Sequence, residues 1–137
     1  MILVDTPVWS LALGRRTVDL SPSDRRLTQR LYDFVQQHRV QLLGSIRQEV
    51  LSGIRDEAQF RRIREYLRDF PNISLEAEDY EEAARISNDC RRAGIVGSPV
   101  DMLLCAVSLR QASQIFTIDR DFHHYRTVIP LKLVPLH

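Results

Sequence analysis

The sequence has few of the residues that define disulfide-rich, zinc-binding or membrane proteins. Its 137 residues include two cysteines, Cys90 and Cys105, which lie in separate apolar helical patterns with no histidine at ligand spacing. The longest uninterrupted apolar run is residues 102–107, whereas a membrane helix needs about 20. No basic segment precedes the apolar N-terminus. We therefore expect two reduced core cysteines, no membrane partner and a cytoplasmic location.

Net charge and lysine are also low. The formal charge is +1, so composition alone assigns neither a nucleic-acid nor a membrane partner. Of the 19 basic residues, 18 are arginines and the other is Lys132. Arginine is the better bidentate phosphate ligand, which would suit RNA or DNA, but codon usage in a GC-rich genome is the favoured explanation.

The length and the order of apolar patterns indicate one α/β domain over residues 1–137. A chain of this size buries a substantial core, and 44% hydrophobic with 27% charged residues is ordinary for a globular protein. Short apolar runs alternate with helical patterns, which predicts a mostly parallel sheet covered on both faces. We expect four to five strands, drawn from residues 1–4, 40–43, 73–75, 115–118 and 128–135.

Four acidic residues occupy positions that should meet at one edge of this sheet. Asp5 ends the first strand and Asp119 ends a later one. Glu49 lies one turn into the helix that follows the second strand, and Asp101 lies in the first turn of another helix. Because parallel strands place their carboxyl ends at the edge where α/β proteins bind ligands, we expect these carboxylates to lie together.

Clustered carboxylates require protonation or a cation. Two unit charges 4 Å apart repel by about 4 kcal/mol at an effective dielectric constant near 20. Oxygen ligands without histidine or cysteine favour a hard ion, Mg²⁺ or Mn²⁺. Such an ion activates water and neutralises the charge on a phosphodiester under attack. The pattern therefore favours metal-dependent phosphodiester hydrolysis.

Each acid also has a simpler structural explanation. Asp101 could complete a capping box at the start of its helix. Glu49 could be an ordinary half-exposed helix acid, and Asp119 and Asp121 could be turn acids. Asp5 is the hardest to explain in this way, because a carboxylate that ends a buried strand is costly unless it is paired or bound.

Four segments carry a family resemblance in their order along the chain: residues 3–6, 46–53, 101–106 and 117–122. Together they are similar to the successive signatures of PIN-domain ribonucleases, and most similar to those of VapC-type toxins of toxin–antitoxin modules. The resemblance covers nearly the whole chain. Each motif is weak alone, but the ordered set is specific. Pro7 departs from the small polar residue usual after Asp-Thr, which puts in doubt a hydrogen bond near Asp5.

The resemblance implies a three-layer α/β/α fold with a central parallel sheet and a Mg²⁺- or Mn²⁺-dependent endoribonuclease. It also implies an RNA substrate, a small antitoxin protein that inserts into the active-site groove, and a homodimer. The implied site consists of carboxylates that ligate the metal and hydroxyls that support them. The carboxylates are the quartet Asp5, Glu49, Asp101 and Asp119 with Asp121 in addition, and the hydroxyls are those of Thr6 and Thr117.

Residues that contact the substrate are not fixed by a motif. Arg91 and Arg92, upstream of the Asp101 helix, are candidates for phosphate contacts, and Arg15, Arg16 and Arg120 are weaker ones. Solvated surface positions are the simpler explanation for all five. Trp9 could stack a base, but packing in the core or in a dimer is favoured.

Two other classes of function are consistent with parts of the pattern. A PIN-like domain could bind RNA or a partner without cutting, although the presence of all four acids argues against it. A strand-terminal aspartate could instead belong to a haloacid-dehalogenase phosphotransferase or a receiver domain. The former needs a second aspartate where Pro7 stands, and the latter needs a late strand-end lysine, whereas the only lysine is Lys132.

Overall fold

The chain folds as short strands alternating with helices, and the computed structural model describes residues 1–14 and 19–136. The strands in these residues are β1 (Ile2–Val4), β2 (Val40–Gln41) and β3 (Gln114–Phe116). The helices are α1 (Thr6–Gly14), α2 (Pro22–Gln36), α3 (Gly44–Ser52), α4 (Glu57–Leu67), α5 (Ala77–Arg92), α6 (Pro99–Gln111) and α7 (Asp121–Tyr125). The predicted α/β class is confirmed.

The strands form a parallel sheet with β1 in the middle, in the order β2-β1-β3. The register sets Leu3 opposite Gln41 on one side and opposite Ile115 on the other. Ile2, Leu3 and Val4 are all buried, as a continuous apolar run should be in a strand covered on both faces. The strand that ends at Asp5 is therefore the centre of the sheet.

The prediction of four to five strands is wrong for the described residues, because the sheet has three. Residues 73–75 and 128–135 lie beside the sheet, and these two regions contribute only the isolated parallel bridges Leu42↔Asn72 and Ile115↔Leu133. The first segment passes almost at once into α5, which leaves little length for a ladder. The second contains two prolines, which cannot donate ladder hydrogen bonds.

The helices expected to carry Glu49 and Asp101 are present as α3 and α6, and one short helix was not predicted. Residues 121–125, in which Asp121 was considered as a turn acid, form α7. Trp9, Cys90 and Cys105 are fully buried, and both thiols are free, as predicted. Trp9 packs edge-on against Phe70, with ring centroids 5.3 Å apart. Among the described residues, no helix has both the length and the apolarity to cross a membrane.

Helices α5 and α6 pack against each other as an antiparallel pair. Asp79 in the first turn of α5 is 2% exposed and forms a salt bridge with Arg110 near the end of α6. Asp79 also accepts the Glu76 backbone N–H, which completes a capping box. The start of α5 is thus fixed to the end of α6, so the end of α5 lies near the start of α6.

Candidate active site

A cleft of about 770 Å³ lies where β1 and β3 end, and carboxylates line it. The structure brings all five predicted acids into this one cleft, from four different stretches of the chain. They are Asp5, Glu49, Asp101, Asp119 and Asp121.

Asp5 is the buried member of this group, at 3% exposure. Its Oδ1 accepts the Thr6 N–H at 2.9 Å and its Oδ2 accepts the Thr117 hydroxyl at 2.8 Å. No arginine of the described residues forms a salt bridge with it. Burial is the main reason that the pKa of Asp5 rises to about 6, and the charges of Asp101 and Asp119 raise it further.

Thr6 links the central strand to helix α3. Its hydroxyl donates to Glu49 Oε1 at 2.6 Å, which holds the exposed Glu49 carboxylate at the cleft. Thr6 was predicted to be a supporting hydroxyl, and its contact is with Glu49. Its N–H bonds to Asp5 in spite of the proline that follows. Pro7 therefore does not prevent the start of α1 from contacting the Asp5 carboxylate.

Thr117 connects Asp5 to the other acids beyond β3. Its hydroxyl donates to Asp5 and accepts the Asp119 N–H at 3.0 Å, so it is used as both donor and acceptor. Asp119 Oδ1 in turn accepts the Asp121 N–H at 2.9 Å. Asp119 is thus a turn acid and also a cleft residue, so the two explanations offered for it are compatible.

Asp101 is held by a tyrosine that sequence reasoning missed. Ser98 caps α6 by accepting the Asp101 N–H at 3.1 Å, while Asp101 Oδ2 accepts the Tyr125 hydroxyl at 2.7 Å. Burial raises the pKa of Asp101, as do the charges of Asp119 and Glu49, and the Tyr125 hydrogen bond opposes this rise.

Tyr125 itself is 1% exposed, in helix α7. The apolar pair Phe122 and Tyr125, three residues apart, is the signal in the sequence that could have indicated a helical turn facing the core. Removal of the hydroxyl should raise the pKa of Asp101 further and weaken its hold on a cation. We expect Tyr125→Phe to weaken Mn²⁺ binding in the cleft about 10-fold.

Titration of the protein and the variant with Mn²⁺ tests this expectation. A shift to higher required Mn²⁺ at unchanged thermal stability supports positioning of Asp101 by Tyr125. Unchanged metal dependence would contradict it.

The donor set of the cleft fits a hard divalent ion, because every candidate ligand is a carboxylate or hydroxyl oxygen. Within residues 1–14 and 19–136, however, no three Asp, Glu, His or Cys side chains already stand together as a metal site. Glu49, Asp5 and Asp101 are each oriented by a different hydroxyl donor, and the carboxylates repel one another. The assignment of Asp5, Glu49, Asp101, Asp119 and Asp121 as metal ligands therefore stays a prediction.

The predicted substrate arginines separate in the structure. Arg92 is paired with Asp89 on the exposed surface. Arg91 bonds to Asn88 at 3.0 Å and lines a second cavity beside the acidic cleft. Arg120 is exposed. Two further candidates, Arg15 and Arg16, lie outside the described residues.

The buried charge of Asp5 should make the metal-free protein less stable as the pH rises. Its pKa is about 6 in the folded protein against 3.8 for an unperturbed Asp side chain. Folding thus favours the neutral Asp5 carboxyl group. Its contribution to the free energy of unfolding is present below pH 4 and is lost as the pH rises through 6. Over this pH range, we expect the free energy of unfolding of Asp5→Asn to fall by about 2 kcal/mol less than that of the wild type.

Urea unfolding in EDTA from pH 4 to pH 8 measures this effect as the difference between wild type and variant. If the two free energies of unfolding run parallel over this range, the buried charge of Asp5 is not destabilising.

An α/β domain with a parallel sheet and a carboxylate-lined cleft at its strand ends is the class that these observations define. The family model described as the PIN domain matches residues 2–128. The chain belongs to the PIN domain family.

Solved structures with the same fold match over nearly their whole length. FitAcB from Neisseria gonorrhoeae has 17% identity and a TM-score of 0.74, with 99% of this chain and 98% of that chain covered. VapBC2 from Rickettsia felis, bound to a DNA fragment from their promoter, has 11% identity, a TM-score of 0.70 and 98% coverage of both chains.

VapBC-1 from nontypeable Haemophilus influenzae has 13% identity and a TM-score of 0.63, with 99% and 98% covered. At these identities the likeness shows a shared fold. No curated protein sequence matches the chain.

Proposed function

We propose that this protein is a Mg²⁺- or Mn²⁺-dependent endoribonuclease and the toxin component of a VapBC-type toxin–antitoxin module. The observation that carries the proposal is the convergence of five carboxylates on one cleft at the ends of β1 and β3. Membership of the PIN family and likeness to VapBC structures support the same class.

The chemistry assigned to the cleft is hydrolysis of an RNA phosphodiester. A divalent ion, when bound, supplies water activation and charge neutralisation at the phosphoryl group. Asp5, Asp101 and Asp119 would hold it, together with Glu49 and Asp121. The oxygen of water bonds to phosphorus and one phosphorus–oxygen ester bond breaks. The attacking water loses a proton and the leaving ribose oxygen gains one.

The remaining residues keep these carboxylates in place. Thr6 fixes Glu49, Thr117 fixes Asp5, and Tyr125 fixes Asp101. Such supporting hydrogen bonds orient ligands and raise their affinity for a metal. In the same proposal the domain is a three-layer α/β/α PIN fold that forms a homodimer, and a small antitoxin protein covers the cleft.

Incubation of the purified protein with total RNA tests the nuclease function. We expect cleavage with Mg²⁺ or Mn²⁺, none in EDTA, and cut ends that map to a limited set of sites. Recovery of activity when the ion is restored separates chelation from denaturation. Binding of RNA without cleavage under all metal conditions would favour a non-catalytic PIN-like domain.

Co-expression tests the toxin function. Induction of this chain alone should arrest growth, and co-expression of the small protein encoded by the neighbouring reading frame should restore it. Equal growth with and without induction at matched expression would contradict a toxin role.

A further inference from the structure

A second cavity of about 470 Å³ adjoins the acidic cleft, and we call it the α5 groove. Ser45 and Val100 line both cavities, so the groove continues the cleft. We propose that the α5 groove binds RNA that flanks the cut, with one base stacked on Tyr80 and one backbone phosphate bound by Arg91. This proposal rests on the nuclease function proposed above.

On the α5 side of the groove, small residues lie between two large ones. The residues that α5 contributes repeat at i, i+3, i+4, i+7 and i+11, which is a single stripe of a helix. They are Tyr80, Ala83, Ala84, Ser87 and Arg91. Other positions of the same helix, Ile86 and Cys90, are buried in the core. The stripe is therefore a side of α5 that the fold leaves open.

Tyr80 is a large apolar side chain left in solvent, with 57% of its surface exposed. An aromatic ring at the wall of a groove can stack any base, since every base presents a π face. Ala83 and Ala84 next to it leave room for a base to lie flat against the groove. Tyr80 thus supplies affinity for single-stranded RNA with little preference for sequence.

Arg91 is the cation of the α5 groove, and its charge is not neutralised by a carboxylate of the described residues. Its partner is the neutral Asn88 side chain at 3.0 Å. Arg85 and Arg92, on the same helix, are paired with Glu82 and Asp89. A phosphate beside a cleft of carboxylates requires a positive partner, which Arg91 provides.

The antiparallel packing of α5 and α6 gives the order in which bound RNA would contact the residues of the α5 groove. The salt bridge of Asp79 with Arg110 fixes the start of α5 at the end of α6, so Arg91 lies toward the Asp101 end. Tyr80 is 11 residues, or about 16 Å, farther along the helix. RNA leaving the cleft therefore meets Arg91 first and Tyr80 later, and the two side chains contact different nucleotides.

Binding to a fluorescein-labelled single-stranded 12-mer RNA that spans a mapped cut site tests the proposal, with Asp5→Asn as the non-cleaving background. We expect Tyr80→Ala to weaken binding roughly 5- to 150-fold, the range for loss of one stacked base. Tyr80→Trp should retain the affinity. An abasic nucleotide at one position of the RNA should weaken binding to the Asp5→Asn background, which retains Tyr80. The same nucleotide should not weaken binding further when Tyr80→Ala is also present.

The salt dependence of binding tests Arg91 separately. Loss of one phosphate contact on single-stranded RNA should reduce the slope of log K against log salt by about 0.7 in Arg91→Ala. Arg85→Ala is the matched control, because Arg85 is exposed on the same helix but is paired and lies outside the groove. Its slope should equal that of the unsubstituted background.

The possible failures are distinguishable. If the wild-type protein cuts no RNA, the nuclease function is wrong and the subsite with it. If the wild type cuts RNA but Tyr80→Ala and Arg91→Ala bind like Arg85→Ala, the subsite is wrong and the nuclease stands. If Tyr80→Ala changes the molecular mass in solution and this change accounts for the lost RNA binding, the groove is a contact between copies of the chain. That result would also overturn the subsite.

Discussion

Asp5→Asn should lower metal-dependent RNA cleavage by about 10³-fold, which corresponds to about 4 kcal/mol of lost transition-state stabilisation. Asp5 directly follows the central strand and is the buried carboxylate of the cleft. Asparagine keeps the size but has a single acceptor oxygen, so it can accept only one of the hydrogen bonds from Thr6 and Thr117. Single-turnover cleavage of a mapped RNA site measures the loss.

The control for this experiment is a charge change of the same kind away from the cleft. Asp69→Asn removes a carboxylate from the exposed surface after α4 and should leave cleavage unchanged. Because the buried charge of Asp5 destabilises the metal-free protein at neutral pH, Asp5→Asn should be at least as resistant to urea in EDTA. If this stable variant retains the wild-type rate of cleavage, Asp5 is not a catalytic residue.

Thr117→Val should lower the metal affinity or the cleavage rate 10- to 100-fold. This is the usual range for loss of a group that orients a metal ligand. Valine has nearly the same shape as threonine but cannot donate to Asp5 or accept the Asp119 N–H. Both groups would lose a partner that they have in the folded protein. Cleavage rates across a Mn²⁺ titration separate a weakened site from a slowed reaction.

Two other threonine substitutions make the result specific. Thr117→Ser keeps the hydroxyl and should retain most of the activity. Thr28→Val removes another buried threonine hydroxyl, which donates to the Arg25 carbonyl within α2, far along the chain from the acids. Equal losses in Thr28→Val and Thr117→Val would attribute the effect to general destabilisation.

Elements whose signals lie within a few residues could be predicted from the sequence. The serine caps and prolines at the starts of α2 and α6, and the buried run of β1, are of this kind. The acids at the strand ends followed from the same local patterns. The family match bears out the PIN resemblance, and the role of these acids as metal ligands stays a prediction.

Contacts between distant segments could not be read in this way. The α7 helix is five residues long, and its one apolar pair, Phe122 and Tyr125, is too short a signal to predict a helix by itself. Tyr125 was missed for that reason. Arg91 and Arg92 look alike in sequence, and only the side of α5 that each occupies distinguishes them. The two outer strand candidates were apolar enough, but each makes a single bridge.

The sequence by itself determined the central strand, helices such as α2 and α6, and the acids that fall at their ends, because apolar period and capping act over a few neighbouring residues. Only the tertiary structure decided which donor holds which carboxylate. Thr117 reaches Asp5 across 112 residues of chain, and Thr6 reaches Glu49 across 43. Such pairs form through the packing of whole elements, and no local pattern encodes that packing.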